Sequence, residues 1–167
     1  DTLQWNRWIM AHADTVTSAS DQLLELVGRL ERHEGFGQVV AALRGGEGAT
    51  LDGVWGSSCA LATAALAQHA PGPLVVVCPH IDDIDSFVDD LGLFTRLTPE
   101  RFPARESLSA ERIIHDEIFG DRVRVLKLLE QPDPPKLLIT SIQSLLQPVP
   151  SRATLDRWIR AYQQQDG

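Results

Sequence analysis

The run Gly53-Val54-Trp55-Gly56-Ser57-Ser58-Cys59-Ala60 occupies the slot of a phosphate-binding loop. A working loop of this kind reads GxxxxGK[ST] between a strand and a helix. Its glycines let backbone N–H groups close around phosphates, its Lys meets the terminal phosphates and its hydroxyl holds magnesium. Gly53 supplies the first glycine and Gly56 an internal one. Ser58 stands where the second motif glycine belongs, and its Cβ opposes close approach of the backbone. Cys59 replaces the Lys, so the positive charge is gone. Ala60 replaces the hydroxyl residue, so the magnesium ligand is gone. No strand ends in an Asp-Glu pair that would form a second magnesium site. The loop is therefore expected to bind no nucleotide. A degenerate loop that still holds nucleotide without turning it over is the alternative, and an ordinary tight turn explains the same string with no ligand at all.

A second stretch with chemical potential is Pro79-His80-Ile81-Asp82-Asp83. It resembles the PHPDD motif of zinc-dependent N-acetylglucosamine deacetylases, in which the His and one Asp are ligands and a second Asp serves as base. That resemblance implies His80 and Asp83 as metal ligands in a hydrolase. Ile81 stands in place of the Pro, Ile84 in place of the usual Glu, and His115 has no HxxH-like partner. The competing reading needs no metal: His80 lies in a loop, and Asp82 and Asp83 sit in a helical first turn, where the helix dipole favours carboxylates. Ser57 and Ser58 do not form a nucleophile elbow, because Trp55-Gly56-Ser57-Ser58-Cys59 lacks the glycine after the serine.

The elements that must hold these residues follow from hydrophobic spacing. The chain has 167 residues, 43% of them hydrophobic and 23% charged, which is enough for one core and too apolar for a disordered tail. No apolar run is long enough to span a bilayer. Net charge is −8, which argues against a duplex-binding face. Cys59 and Cys78 make neither a disulfide framework nor a CxxC site; they read as small buried side chains in a reducing cytoplasm. The first residue is Asp1 and the tail is polar, so the sequence reads as a segment of a longer protein. Trp5, Trp8 and Ile9 suggest a short helix or docked arm. Ser20-Asp21 opens a helix through Leu30, and residues 36–43 form another.

Residues 49–55 are expected as a short strand entering the glycine loop, and residues 58–69 as a buried Ala/Leu helix. Leu74-Val75-Val76-Val77-Cys78 suits a strand covered on both faces. Residues 82–91 read as an acidic helix and residues 97–103 as a short strand. Residues 109–129 form the longest helix, weakened at Gly120, with Arg122, Arg124 and Lys127 on its solvent side. A strand at 137–140, a short helix at 141–147 and an amphipathic helix at 154–164 complete the series. The β-α alternation predicts a three-layer α/β domain: a mostly parallel sheet with helices on both faces, preceded by N-terminal helices.

Several phrases together resemble the N-terminal module of the bacterial transcription-repair coupling factors (Mfd). These are Gly53 to Ser58 with its Ala/Leu helix, Pro79 to Asp83 after a strand, and Phe102-Pro103-Ala104-Arg105-Glu106-Ser107-Leu108. In the last of these Arg105 stands where the family has Trp. The helix containing Asp116-Glu117-Ile118 and Asp121 to Leu126, and the strand and turn from Leu137 to Pro150, complete the match over residues 45–150. That module is similar to the excision-repair protein UvrB, whose loop is intact; Ser58, Cys59 and Ala60 argue against UvrB itself. The resemblance implies a degenerate P-loop NTPase-like fold in three parts: an N-terminal helical arm (1–45), a UvrB-like α/β domain (46–150) and a C-terminal helix or linker (151–167). It implies a cytoplasmic, non-enzymatic module in transcription-coupled DNA repair. Its partners would be UvrA and other domains of the same chain, with a role in autoinhibition. In the full-length family member, an ATP- and magnesium-dependent motor binds and translocates DNA, and a separate domain binds RNA polymerase.

Overall fold

The computed structural model describes residues 18–104, 112–154 and 157. The expected Trp5/Trp8 arm, the Arg105–Leu108 part of the FPARESL phrase and most of the helix at 154–164 lie outside them. The fold is mixed α/β with a small parallel sheet. The described chain divides into two compact units. One ends at His69 and takes in Asp89–Arg96; the other covers Ala70–Val88 and resumes at Leu97.

The first unit is helical. Helix α1 (Ala19–Glu31) begins two residues before Asp21 because Ser18 caps it, its hydroxyl accepting the Asp21 N–H at 3.1 Å. A cap of this kind contributes about 1 kcal/mol. Helix α2 (Glu34–Arg44) is capped by His33, whose Nδ1 accepts from Gly35 N–H at 3.2 Å. Its Phe36 and Val40 are buried, as is Val27 of α1. Helix α3 (Ser57–His69) buries Ala60, Ala62, Thr63, Ala64, Ala65 and Ala67. Side chains this small let neighbouring backbone come close, so α3 is buried with no broad apolar stripe. It packs on α1, and His69 reaches Glu31 at 3.1 Å while its ring meets Phe36 at 6.0 Å. Helix α4 (Asp83–Phe94) gives its second half to this unit, with Leu91 and Phe94 buried.

The second unit carries the sheet. Strands β1 (Leu74–Cys78), β2 (Glu100–Phe102) and β3 (Leu137–Ser141) lie in the order β1-β3-β2, and both pairings are parallel. The central strand β3 is buried at every position. Helix α5 (Arg112–Leu129) runs unbroken through Gly120 and packs on β2. Phe102, Val125 and Leu138 form its core with Leu126 and Leu129 against them. Helix α6 (Ile142–Leu146) leaves β3 directly, capped by the Ser141 hydroxyl on Ser144 N–H at 3.2 Å.

Three expectations are corrected here. Residues 49–55 form no strand: the segment is irregular, then turns at Asp52-Gly53. Only Ala49-Thr50-Leu51 separates the glycine run from that turn, and the Asp52 carboxylate accepts the Gly53 N–H at 2.9 Å, a local bond that competes with a ladder. Strand β1 is not covered on both faces, since Val75 and Val77 are exposed. Arg122 is not on the solvent side of α5 but 2% exposed.

Candidate functional site

The Gly53–Ala60 segment precedes and opens α3, so the loop-to-helix half of the expected context forms and the strand half does not. Gly53 and Gly56 have φ of +72° and +53°, in the left-handed region. A Cβ at either position would meet nothing within 4 Å. The glycines therefore serve the turn of the chain and not the close approach of a neighbour. Ser58 N–H donates to the Trp55 carbonyl at 3.1 Å and Cys59 N–H to the Gly56 carbonyl at 2.9 Å. With Gly53 N–H on Asp52, three amides of the segment already have acceptors. The Cys59 thiol lies 3.7 Å from the Val54 carbonyl. Trp55 stands out of the loop, 82% exposed.

The first turn of α3 has a carboxylate beside it. Ser57 Oγ donates to Asp90 Oδ2 at 2.7 Å. An anion near a helix N-terminus is stabilised by the partial positive charge there. Asp90 thus supplies, from within the chain, the negative charge that a phosphate would bring. A phosphate approaching this turn meets like charge and no Lys.

Sequence reasoning missed the polar hub of the second unit. Arg122 lies buried on α5, its guanidinium 4.2 Å from the centre of the Phe102 ring. Nη1 donates to the Pro103 carbonyl at 2.6 Å and to Ser144 Oγ at 2.7 Å, and Nη2 reaches the Ser144 carbonyl at 3.4 Å. Ser144 Oγ in turn donates to the Pro103 carbonyl at 2.8 Å. Thr140 Oγ1 donates to the Phe102 carbonyl at 2.9 Å. Five donors in a rigid fork allow one Arg to bind several oxygens at once. The hub ties the end of β2, the middle of α5 and the middle of α6 together. The signal was in the spacing: Arg122 is three and seven residues before Val125 and Leu129, on the packed face of α5.

His80, Asp82 and Asp83 are exposed between β1 and α4. Asp82 precedes α4 and Asp83 opens it. Among the described residues no three His, Cys, Asp or Glu side chains are grouped to hold a metal ion. The Cys78 thiol is buried, and its pKa is raised above the ordinary 9.0, first by that burial and then by the charge of Asp83. A shallow groove of about 450 Å³ runs along Pro99, Glu100, Asp121 and Arg124. Its charges are matched within the unit: Arg124 bonds Glu100 at 2.9 Å, which raises the Arg124 pKa, and Arg101 bonds Asp85.

Among the described residues no helix is long and apolar enough to cross a membrane. Set against family models, curated proteins and solved structures, the chain matches none of them.

Proposed function

We propose that this chain is a non-hydrolysing, UvrB-like module of a transcription-repair coupling factor, working by protein–protein contact in the cytoplasm. Its fold would be a degenerate relative of the P-loop NTPases. Its role would be to scaffold UvrA recruitment and to hold the full-length ATP-dependent translocase in an inhibited state. ATP, magnesium, DNA and RNA polymerase would then be matters for other domains of that protein.

The observation that carries the reading is the first turn of α3. Gly53 and Gly56 keep the shape of a loop, while Ser58, Cys59 and Ala60 lack the phosphate and magnesium chemistry. The bond from Ser57 to Asp90 puts a carboxylate at the helix start, where a nucleotide would need a cation. A parallel α/β unit and the ordered phrases between residues 45 and 150 support the same reading.

The test is made in the full-length protein. Cys59→Ala is expected to leave ATP turnover and UvrA capture unchanged, whereas Arg122→Ala, aimed at the fold of the module, is expected to raise basal ATPase and abolish UvrA capture. Labelled ATP titrated onto the isolated chain should show no binding in the micromolar range. Micromolar affinity that disappears in Gly56→Val would overturn the reading of an empty loop. Unchanged UvrA capture by an unfolded module would overturn the assignment to this family.

A further inference from the structure

Two histidines meet the corner formed by α1, α2 and α3, and a proton acts on them in opposite senses. His33 lies between α1 and α2 with extended backbone, φ −76° and ψ 129°, and its Nδ1 accepts the Gly35 N–H at 3.2 Å. The ring sits so close over Gly35 that a Cβ there would meet Nδ1 at 3.3 Å. The bond needs a lone pair on Nδ1, so it belongs to the neutral ring with its proton on Nε2. A protonated ring has two donors and no acceptor, and its charge faces the partial positive charge of the helix start. Ser, Thr and Asn, the common neutral caps, keep an acceptor across this change and a histidine does not.

His69 has the opposite preference. It ends α3, where the last turn of a helix favours a cation. Its Nε2 lies 3.1 Å from Glu31 Oε1 at the end of α1, and its ring is tilted against the buried Phe36 of α2. A proton on this ring turns a neutral hydrogen bond into a charge-assisted one. The other charges of the corner stand elsewhere. Arg32 and Glu34 flank His33 in the chain, and Arg29 lies one turn back on α1. Glu25 is in mid-α1, and Asp21 is bonded by Ser18 at its far end. Helix α3 adds no charged side chain besides His69, and Asp90 of α4 is engaged by Ser57 at the opposite end of α3. Among the described residues no carboxylate forms an ion pair with the His33 ring, and Glu31 is the one that meets His69.

We propose that this corner is a proton-sensitive joint: acidification uncaps α2 at His33 and tightens α1 on α3 through His69 and Glu31. In acid the first turn of α2 loosens, and in alkali the α1–α3 contact does. Phe36 belongs to both halves of the device, since it follows the capped turn and packs against the His69 ring. This inference is independent of the coupling-factor reading, because it uses only bonds within the helical unit.

The experiment compares urea unfolding of the whole chain at about pH 8 and about pH 5, an interval in which imidazoles change charge. His33→Asn keeps a cap that does not titrate. Relative to the parent it should gain stability on going to the lower pH, by about threefold in the unfolding constant. His69→Gln keeps a hydrogen bond to Glu31 that cannot gain a charge, and should lose about twofold over the same interval. Glu31→Gln should reproduce the loss of His69→Gln. A second measurement reads the cap directly: in NMR spectra the Gly35 amide resonance should move together with the His33 ring as the pH is lowered, and should stay in place in His33→Asn. The proposal is overturned if the two histidine variants shift in the same direction against the parent, or if either keeps a constant difference from it. It is also overturned if the Gly35 amide does not follow His33.

Discussion

The start of α3 and the hub at Arg122 solve opposite problems with similar means. At α3 a partial positive charge, the helix N-terminus, is met at the surface by the Asp90 carboxylate through Ser57. At the hub a full positive charge is taken almost out of water and meets the Pro103 and Ser144 carbonyls, the Ser144 hydroxyl and the face of Phe102. The surface pair is replaceable, since water offers either group a substitute. The buried group is not, because removing it leaves a cavity against Phe102 and takes one donor each from the Pro103 carbonyl and Ser144 in a place water does not reach. The loop that looks like a functional motif thus contributes little to stability. The residue that looks like ordinary helix surface organises three elements.

The sharpest way to break this contrast is to remove the buried cation. Arg122→Ala is expected to destabilise the protein by about 3–4 kcal/mol, read as a lowered urea midpoint. Arg122→Lys should recover only part of that, because an ammonium cannot reproduce the fork. Ser144→Ala, which takes one hydroxyl from the same hub, should cost about 1–3 kcal/mol in the same assay. On the other side of the comparison, Gly53→Ala should cost about 1–2 kcal/mol, since its φ of +72° is unfavourable for a side chain even in open space. An equal loss at Arg122 and at Gly53 would erase the distinction drawn here.

The smallest effect expected is a pH dependence. Burial and Asp83 hold the folded Cys78 thiol protonated above its ordinary value. The unfolded thiol ionises first as pH rises, so the stability associated with the neutral thiol is full below the ordinary value of 9.0 and declines above it. Urea midpoints at pH 7 and pH 10 should therefore differ less in Cys78→Ala than in the parent.

Much of the fold could be read from patterns. Leu137-Leu138-Ile139 is an apolar run that, with Thr140 and Ser141, forms the central, fully buried strand. Residues 58–69, rich in Ala, form the buried helix α3. The run Leu74–Cys78 has the same look as β3, yet it lies at an edge. Composition reports how apolar a strand is and not how many neighbours it has, so burial on both faces was overestimated there. The strand expected before the glycine loop failed for a different reason: its residues are too few, and Asp52 bonds locally to Gly53. At the candidate site, the missing Lys and hydroxyl were visible in Cys59 and Ala60. The carboxylate beside Ser57 was not, because Asp90 is 33 residues away in sequence. Arg122 was legible in principle from its spacing to Val125 and Leu129, but an Arg between Asp121 and Arg124 looks like helix surface to any rule based on charge alone.

The strand order has a consequence for how the protein is made. Among the described residues both β1 and β2 pair with β3 and not with each other, and β3 is the last of the three to be synthesised. As the chain leaves the ribosome, Leu74–Cys78 must wait until Leu137–Ser141 has emerged before it has a place in the sheet. Synthesis at roughly 5–20 residues per second makes that wait several seconds long. Throughout it, a valine-rich segment is free to find other strands, so the yield of folded protein should depend on translation speed and chaperone supply as well as on final stability.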